Sequence, residues 1–162
     1  MRLAAVSIVA VITVLVPAAA LPAPAAVRAD SNGKPCFTVD AAAEQRDGTA
    51  QFRAVTVTDV ARAVAAWEMA LPGGRSFALT HTICIPYAGR VTALPQTPAA
   101  ALVAGRVYRV TLAVHNQDRP LAPRAYTMHF CLAGPGRTIR QLAERAGCPA
   151  GPENPEGKGT IR

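Results

Sequence analysis

Beyond residue 29 the chain of 162 residues holds only two serines, Ser31 and Ser76, and neither lies in a G-x-S-x-G turn. That excludes the strained nucleophile elbow of the α/β-hydrolases. No C-x-x-C is present, so neither a thioredoxin-like redox pair nor a structural zinc knuckle is signalled. PGGR, residues 72–75, lacks the glycine spacing and the lysine of a phosphate-binding loop. The basic residues are nearly all arginine and stand singly along the chain, without a dense run and without interleaved aromatics. This is not the footprint of a nucleic-acid-binding surface. Nor is any apolar run long enough for a membrane span. The run from Leu3 to Val16 has 14 residues, where a spanning helix needs about 20. Internal repeats are missing as well.

What the first residues do contain is a leader pattern. MRLAAVSIVAVITVLVPAAALPAPAAVRA places one Arg ahead of the apolar run and small residues after it, the order of a secretory signal peptide. Cleavage could follow Ala20, Ala25 or Ala29, and the sequence does not choose. Cys36 follows Lys34 and Pro35, which argues against a lipid anchor. A cut after residue 29 leaves 133 of the 162 residues, enough for one domain with a real core. The cut removes Arg2 and Arg28, so the net charge falls from +7 to +5. The expectation is an exported protein, periplasmic or extracellular, that meets no nucleic acid and keeps no membrane span after cleavage. Its basic balance allows an anionic envelope polymer or another envelope protein as partner, and equally a merely solvated surface.

Four cysteines remain: Cys36, Cys84, Cys131 and Cys148. An even count in a small exported chain reads as two disulfides, with three connectivities open. Cys84 and Cys131 each fall on the polar face of their strands, and Cys36 and Cys148 near the two ends of the folded region. The preferred pairing is therefore Cys84 with Cys131 and Cys36 with Cys148. The alternative joins Cys36 to Cys84 and Cys131 to Cys148.

Strand patterns dominate between residues 30 and 148. GRVYRVTLAVHN sets Tyr108, Val110, Leu112 and Val114 on one face, and RAYTMHFCL does the same with Tyr126, Met128, Phe130 and Leu132. Paired as a hairpin, Leu112 meets Met128, Val110 meets Phe130 and Tyr108 meets Leu132. CFTVD and QFRAVTV are further strands. Residues 59–71 fit helical or strand spacing, and we read them as the first arm of a hairpin, with Met69 opposite Leu79 and Trp67 opposite His81. A T-x-x-Q capping box at Thr138 and Gln141 predicts a short helix ending near Gly147. Residues 149–162 have little to bury and read as a disordered tail.

MHFC, residues 128–131, and HTIC, residues 81–84, gather soft metal ligands in short stretches. Alternation along a strand points Met128 away from His129 and Cys131, and His81 away from Cys84. His115 lies too far along its strand to join His129. Met128 and His81 then read as core residues and His129 as a strand-surface residue. No cofactor is expected. A copper site, which takes two His, one Cys and usually a Met, stays as an alternative reading. Glu68, between Trp67 and Met69, is the exception among acids otherwise placed in loops, ends or exposed positions, and is the candidate general acid. A small hydrolase built on Glu68 is the second alternative.

WEMALPGG, CIPYAG, LVAGRVYRV and YTMHFCL, in that order, resemble small exported bacterial proteins of uncharacterised function with a W-E, C-I-x-Y, G-x-V-Y and F-C pattern. The likeness spans residues 66–132 and departs at CIPYAG, where one residue is extra. It implies a compact β domain and a Cys84–Cys131 bridge, and implies no activity. Taken together, the sequence predicts a small antiparallel β-sandwich-like domain with a short C-terminal helix and two disulfides, acting as a non-catalytic binding or envelope-associated module. Its loops offer Tyr87, Arg90, Arg119 and Arg124 as a binding surface.

Overall fold

The computed structural model describes residues 23–89, 94–116, 119, 121–134 and 136–149. These residues are mostly β, with 48% of them in strands and 8% helical. The strands are β1 (Ala23–Ala29), β2 (Pro35–Val39), β3 (Ala50–Asp59), β4 (Val64–Ala70), β5 (Phe77–Leu79), β6 (Ile85–Pro86), β7 (Val107–His115), β8 (Ala125–Ala133) and β9 (Thr138–Leu142). The helix α1 covers Ala41–Asp47. β7 shows why these segments are strands. Tyr108, Val110, Leu112 and Val114 are buried and the residues between them are not, which matches the period of two of a sheet with one face on the core.

The sheet runs β4-β3-β7-β8-β1-β2-β6. β5 shares with β4 the second edge of β3, and β9 shares with β1 the second edge of β8. Every ladder is antiparallel except β1 with β8, which is parallel, so the sheet is mixed rather than wholly antiparallel. It curls until its two ends meet. A file of aromatic rings crosses the interior from Trp67 on β4 to Tyr87 beyond β6, Phe37 on β2, Phe130 on β8 and Tyr108 on β7. Successive centroids lie 5.5, 6.4, 5.6 and 5.7 Å apart. The free edge of β4 is covered by a neighbouring segment. The amides of Ala70, Thr97 and Ala100 bond to the carbonyls of Pro95, Glu68 and Ala66, which blunts the strand against edge-to-edge pairing.

α1 closes the lower end of this curled sheet. Its N-cap Asp40 accepts a hydrogen bond from the Ala42 amide at 2.9 Å. Its last residue, the buried Asp47, accepts from the Tyr126 hydroxyl at 3.2 Å and from Arg46.

Several expectations need correction. The predicted C-terminal helix is instead β9. β1 leaves β8 after Thr127, so the upper half of that edge presents open amides and carbonyls, and β9 pairs with them from His129 to Ala133. Ile139 packs against the core from there. Among the described residues the α-helix sits at 41–47 instead.

β4 is a strand as read, but its partner is β3, with Trp67 opposite Val57 and Met69 opposite Val55. β5 pairs with the lower part of β3, not with β4. Both arrangements set apolar residues opposite apolar ones, so the pattern does not discriminate between them. The β7–β8 hairpin has Leu112 opposite Tyr126, Val110 opposite Met128 and Tyr108 opposite Phe130. That is a shift of two residues from the predicted register, which keeps every side chain on its face.

The disulfides are Cys36–Cys84 and Cys131–Cys148, the alternative pairing rather than the preferred one. The Cys84–Cys131 bridge implied by the family likeness is not formed. Cys36 lies on β2, register-paired with Pro86 of β6, so the residue just ahead of β6 is its natural partner. Cys131 faces outward from β8 and is covered by the segment that ends in Cys148. β1 occupies residues 23–29, which span two of the three cleavage positions that the sequence leaves open. Ala25 and Val27 are buried in the core there.

Candidate functional site

The upper end of the sheet, opposite α1, carries a cleft of about 630 Å³, within the usual size of a ligand site. Three pieces frame it: the β1–β2 turn (30–34), the segment 99–102, and the β8–β9 turn around Arg137. The walls are small and apolar, chiefly Ala88, Ala99, Ala100 and Leu102. The charged side chains lining it are Lys34 and Arg137, and no carboxylate lines it among the described residues.

Each wall is held locally. In the β1–β2 turn the Asp30 carboxylate accepts from the amides of Asn32 at 2.8 Å and Lys34 at 2.9 Å. Gly33 supplies the left-handed residue, at φ 73°, and Lys34 is thereby presented at the rim. Arg137 donates through its guanidinium to the Leu102 carbonyl, which ties two walls together. Tyr87 forms the floor. It is buried, and its hydroxyl donates to the Ala100 carbonyl at 2.7 Å and lies 3.2 Å from that of Ala66. Burial, with a smaller contribution from Tyr108, pushes its pKa up to about 12. The phenol therefore stays a neutral donor.

Among the described residues, two of the three non-glycine residues with positive φ line this cleft, Ala88 at 58° and Arg137 at 52°. Ala88 occupies the third position of a turn closed by the Gly89 amide on the Pro86 carbonyl, a place that glycine fills at lower cost. A Cβ on Gly89 would stand 3.0 Å from the Pro86 carbonyl oxygen, close enough that a neighbour would have to shift. Strain of this kind collects at functional sites. Replacing Ala88 by glycine is expected to leave stability unchanged or raise it by up to about 1 kcal/mol, read as the urea midpoint.

Of the residues named from the sequence, the described ones do not come together. Tyr87 belongs to the upper cleft, though its hydroxyl is already engaged. Arg90 lies outside the described residues. Arg119 and Arg124 stand at the lower end. There Arg119 donates to the Arg46 carbonyl and lies over Gly48, while the Arg124 carbonyl accepts from the Val114 amide. Lys34 and Arg137 went unnoticed in the sequence. The Asn32-Gly33 dipeptide, a hairpin signal, would have placed Lys34 at a strand-joining turn. Nothing in the sequence marks Arg137.

The remaining chemistry is dispersed. His81 is exposed and far from the core position expected of it. The Glu44 carboxylate takes both its backbone amide and its ring Nδ1 at 2.7 Å. Partial burial alone would raise the Glu44 pKa, but these bonds and one from Thr49 outweigh it and hold the carboxyl below its usual value. His129 faces Arg109, six residues along β7 from His115, or about 20 Å at the rise of a strand. Met128 packs against the core. No group of three or more His, Cys, Asp or Glu stands within reach of one ion among the described residues. Glu68 is exposed on β4, opposite Thr56.

Tyr126 titrates high for reasons like those of Tyr87. Burial comes first, then the adjacent Asp47 charge and the hydrogen bond to it, and together they push its pKa up to about 12. For both tyrosines the folded value lies above the ordinary 10.0. The stability they contribute is thus complete below pH 10 and is lost as pH rises toward 12. The expected result is a falling urea midpoint across that window, accompanied by the tyrosinate absorbance.

No protein-family model, curated protein or solved structure matches the chain at a significant level.

Proposed function

We propose that this chain is an exported, non-catalytic binding module whose ligand site is the upper cleft, and that the ligand carries carboxylate or phosphate groups on a slender body. The observation that carries this reading is the pairing of Lys34 and Arg137 on walls of alanine and leucine, with no carboxylate among the described lining residues. Two cations in a lining that holds no carboxylate among the described residues attract an anion, and the small side chains leave room for a chain to lie against them. Two disulfides in a domain of this size suit an oxidising compartment. An anionic polysaccharide of the cell envelope has the required chemistry.

Calorimetric titration with polygalacturonate, and with neutral dextran as control, tests it. Binding is expected for the acidic polymer alone and should weaken with added salt. Lys34→Gln and Arg137→Gln are each expected to lower affinity roughly tenfold, the loss of one charge-assisted contact. Arg124→Gln, at the opposite end, should leave affinity unchanged. Equal binding by all three variants would move the site away from the cleft, and equal binding of dextran would remove the anionic class.

A further inference from the structure

Residues 23–29 are structural rather than disposable. Among the described residues β1 is the strand that carries the backbone ladder from one half of the sheet to the other. It pairs with β8 through Ala23 and Pro24, and with β2 through Ala25 to Ala29. β2 then carries β6, and no ladder joins β2 or β6 to β3, β7 or β8 among the described residues. Ala25 and Val27 are 1% and 3% exposed, and the Val27 carbonyl accepts from the Gln141 side chain at 3.0 Å. β1 also leads into the turn that holds Lys34 at the cleft. A cut after Ala29 would remove the whole strand and free that turn. A cut after Ala25 would remove every β1–β8 pair.

We infer that maturation cleaves between Ala20 and Leu21, so that the exported chain begins just ahead of β1. The inference rests on reading the first residues as a secretory signal, and of the three cleavage positions open in the sequence this alone spares the strand. The local sequence suits it. Ala18 and Ala20 supply the small residues required one and three positions before the cut, four residues after the apolar run ends at Val16. The reaction is hydrolysis of one peptide bond, with water consumed and a new amine formed on Leu21.

The test is to express the full chain in a secreting bacterial host and to measure intact mass and the N-terminal peptide of the exported protein. A chain beginning at Leu21 is expected. A chain beginning at Ala26 or Asp30 would overturn the assignment while leaving export intact. Full-length protein held inside the cells, with no processed form, would overturn the export reading and the cleavage with it. Ala20→Glu provides a second arm. It is expected to remove most of the Leu21-initiated product, and undiminished product at that terminus would overturn the assignment.

Discussion

Replacing Cys36 and Cys84 together by serine is expected to lower the unfolding free energy by about 4 kcal/mol, and replacing Cys131 and Cys148 by about 3 kcal/mol, in the chain-entropy model. The bridges close separations of 48 and 17 residues, and a longer loop gives up more freedom when closed. The fold points the same way. β6 meets β2 through only two register pairs, so Cys36–Cys84 adds a covalent tie where the backbone ladder is short. Cys131–Cys148 instead fastens the chain after β9 onto the outer face of β8, where five register pairs already hold β9. Double variants avoid a stray thiol. Urea unfolding followed by the fluorescence of the single tryptophan, Trp67, measures both losses, and unreduced peptide mapping should return the two linked pairs. A larger loss for the shorter loop would show that native contacts, rather than chain entropy, set the contribution of each bridge.

Tyr87→Ala is expected to cost about 3–5 kcal/mol, the range for removing a large buried aromatic side chain. Tyr87→Phe should cost about 1–2 kcal/mol. The ring touches Trp67 at 5.5 Å and Phe37 at 6.4 Å, so truncation opens a void where the two ends of the sheet meet. The phenylalanine variant keeps that packing and removes only the hydroxyl, leaving the Ala100 carbonyl without this donor. Because that hydroxyl also orders the 99–102 wall of the cleft, the phenylalanine variant should bind the acidic polymer more weakly even where it remains folded. Chemical denaturation and calorimetry separate the two effects. A neutral Tyr87→Phe result would mean that water takes over the hydroxyl's partners.

The alternating faces of β7 and β8, the β character of 50–59 and 64–70, and the mainly β class with two disulfides were legible in the sequence. Each rests on a local period or on a count. Pairings were not. Val55, Val57, Trp67, Met69, Leu79, Val110 and Leu112 are buried apolar strand residues, and any two strands with such faces match on pattern alone. The hairpin drawn between β4 and β5 and the two-residue slip in β7–β8 are consequences of that degeneracy. The terminal helix failed for a different reason. A capping box predicts a local end, but the open edge of β8 offered the same residues a complete set of backbone partners.

The site was less legible still. Tyr87 was singled out as a loop residue, yet it is a core residue at the seam of the sheet. Lys34 and Arg137 lie 103 positions apart in the chain and meet at one cleft only because β1 runs up to the first turn and β8 runs up to the second. By itself, the amino-acid sequence determined which residues alternate between core and surface, that four cysteines were available to pair, and where nucleophile and phosphate-binding motifs are lacking. Those are properties of composition and short spacing. The tertiary structure decided which strands are neighbours, which cysteines meet, and which cations share a cleft. Those depend on how the sheet curls, which brings Trp67 on β4 against Tyr87 beyond β6, residues that no local period relates.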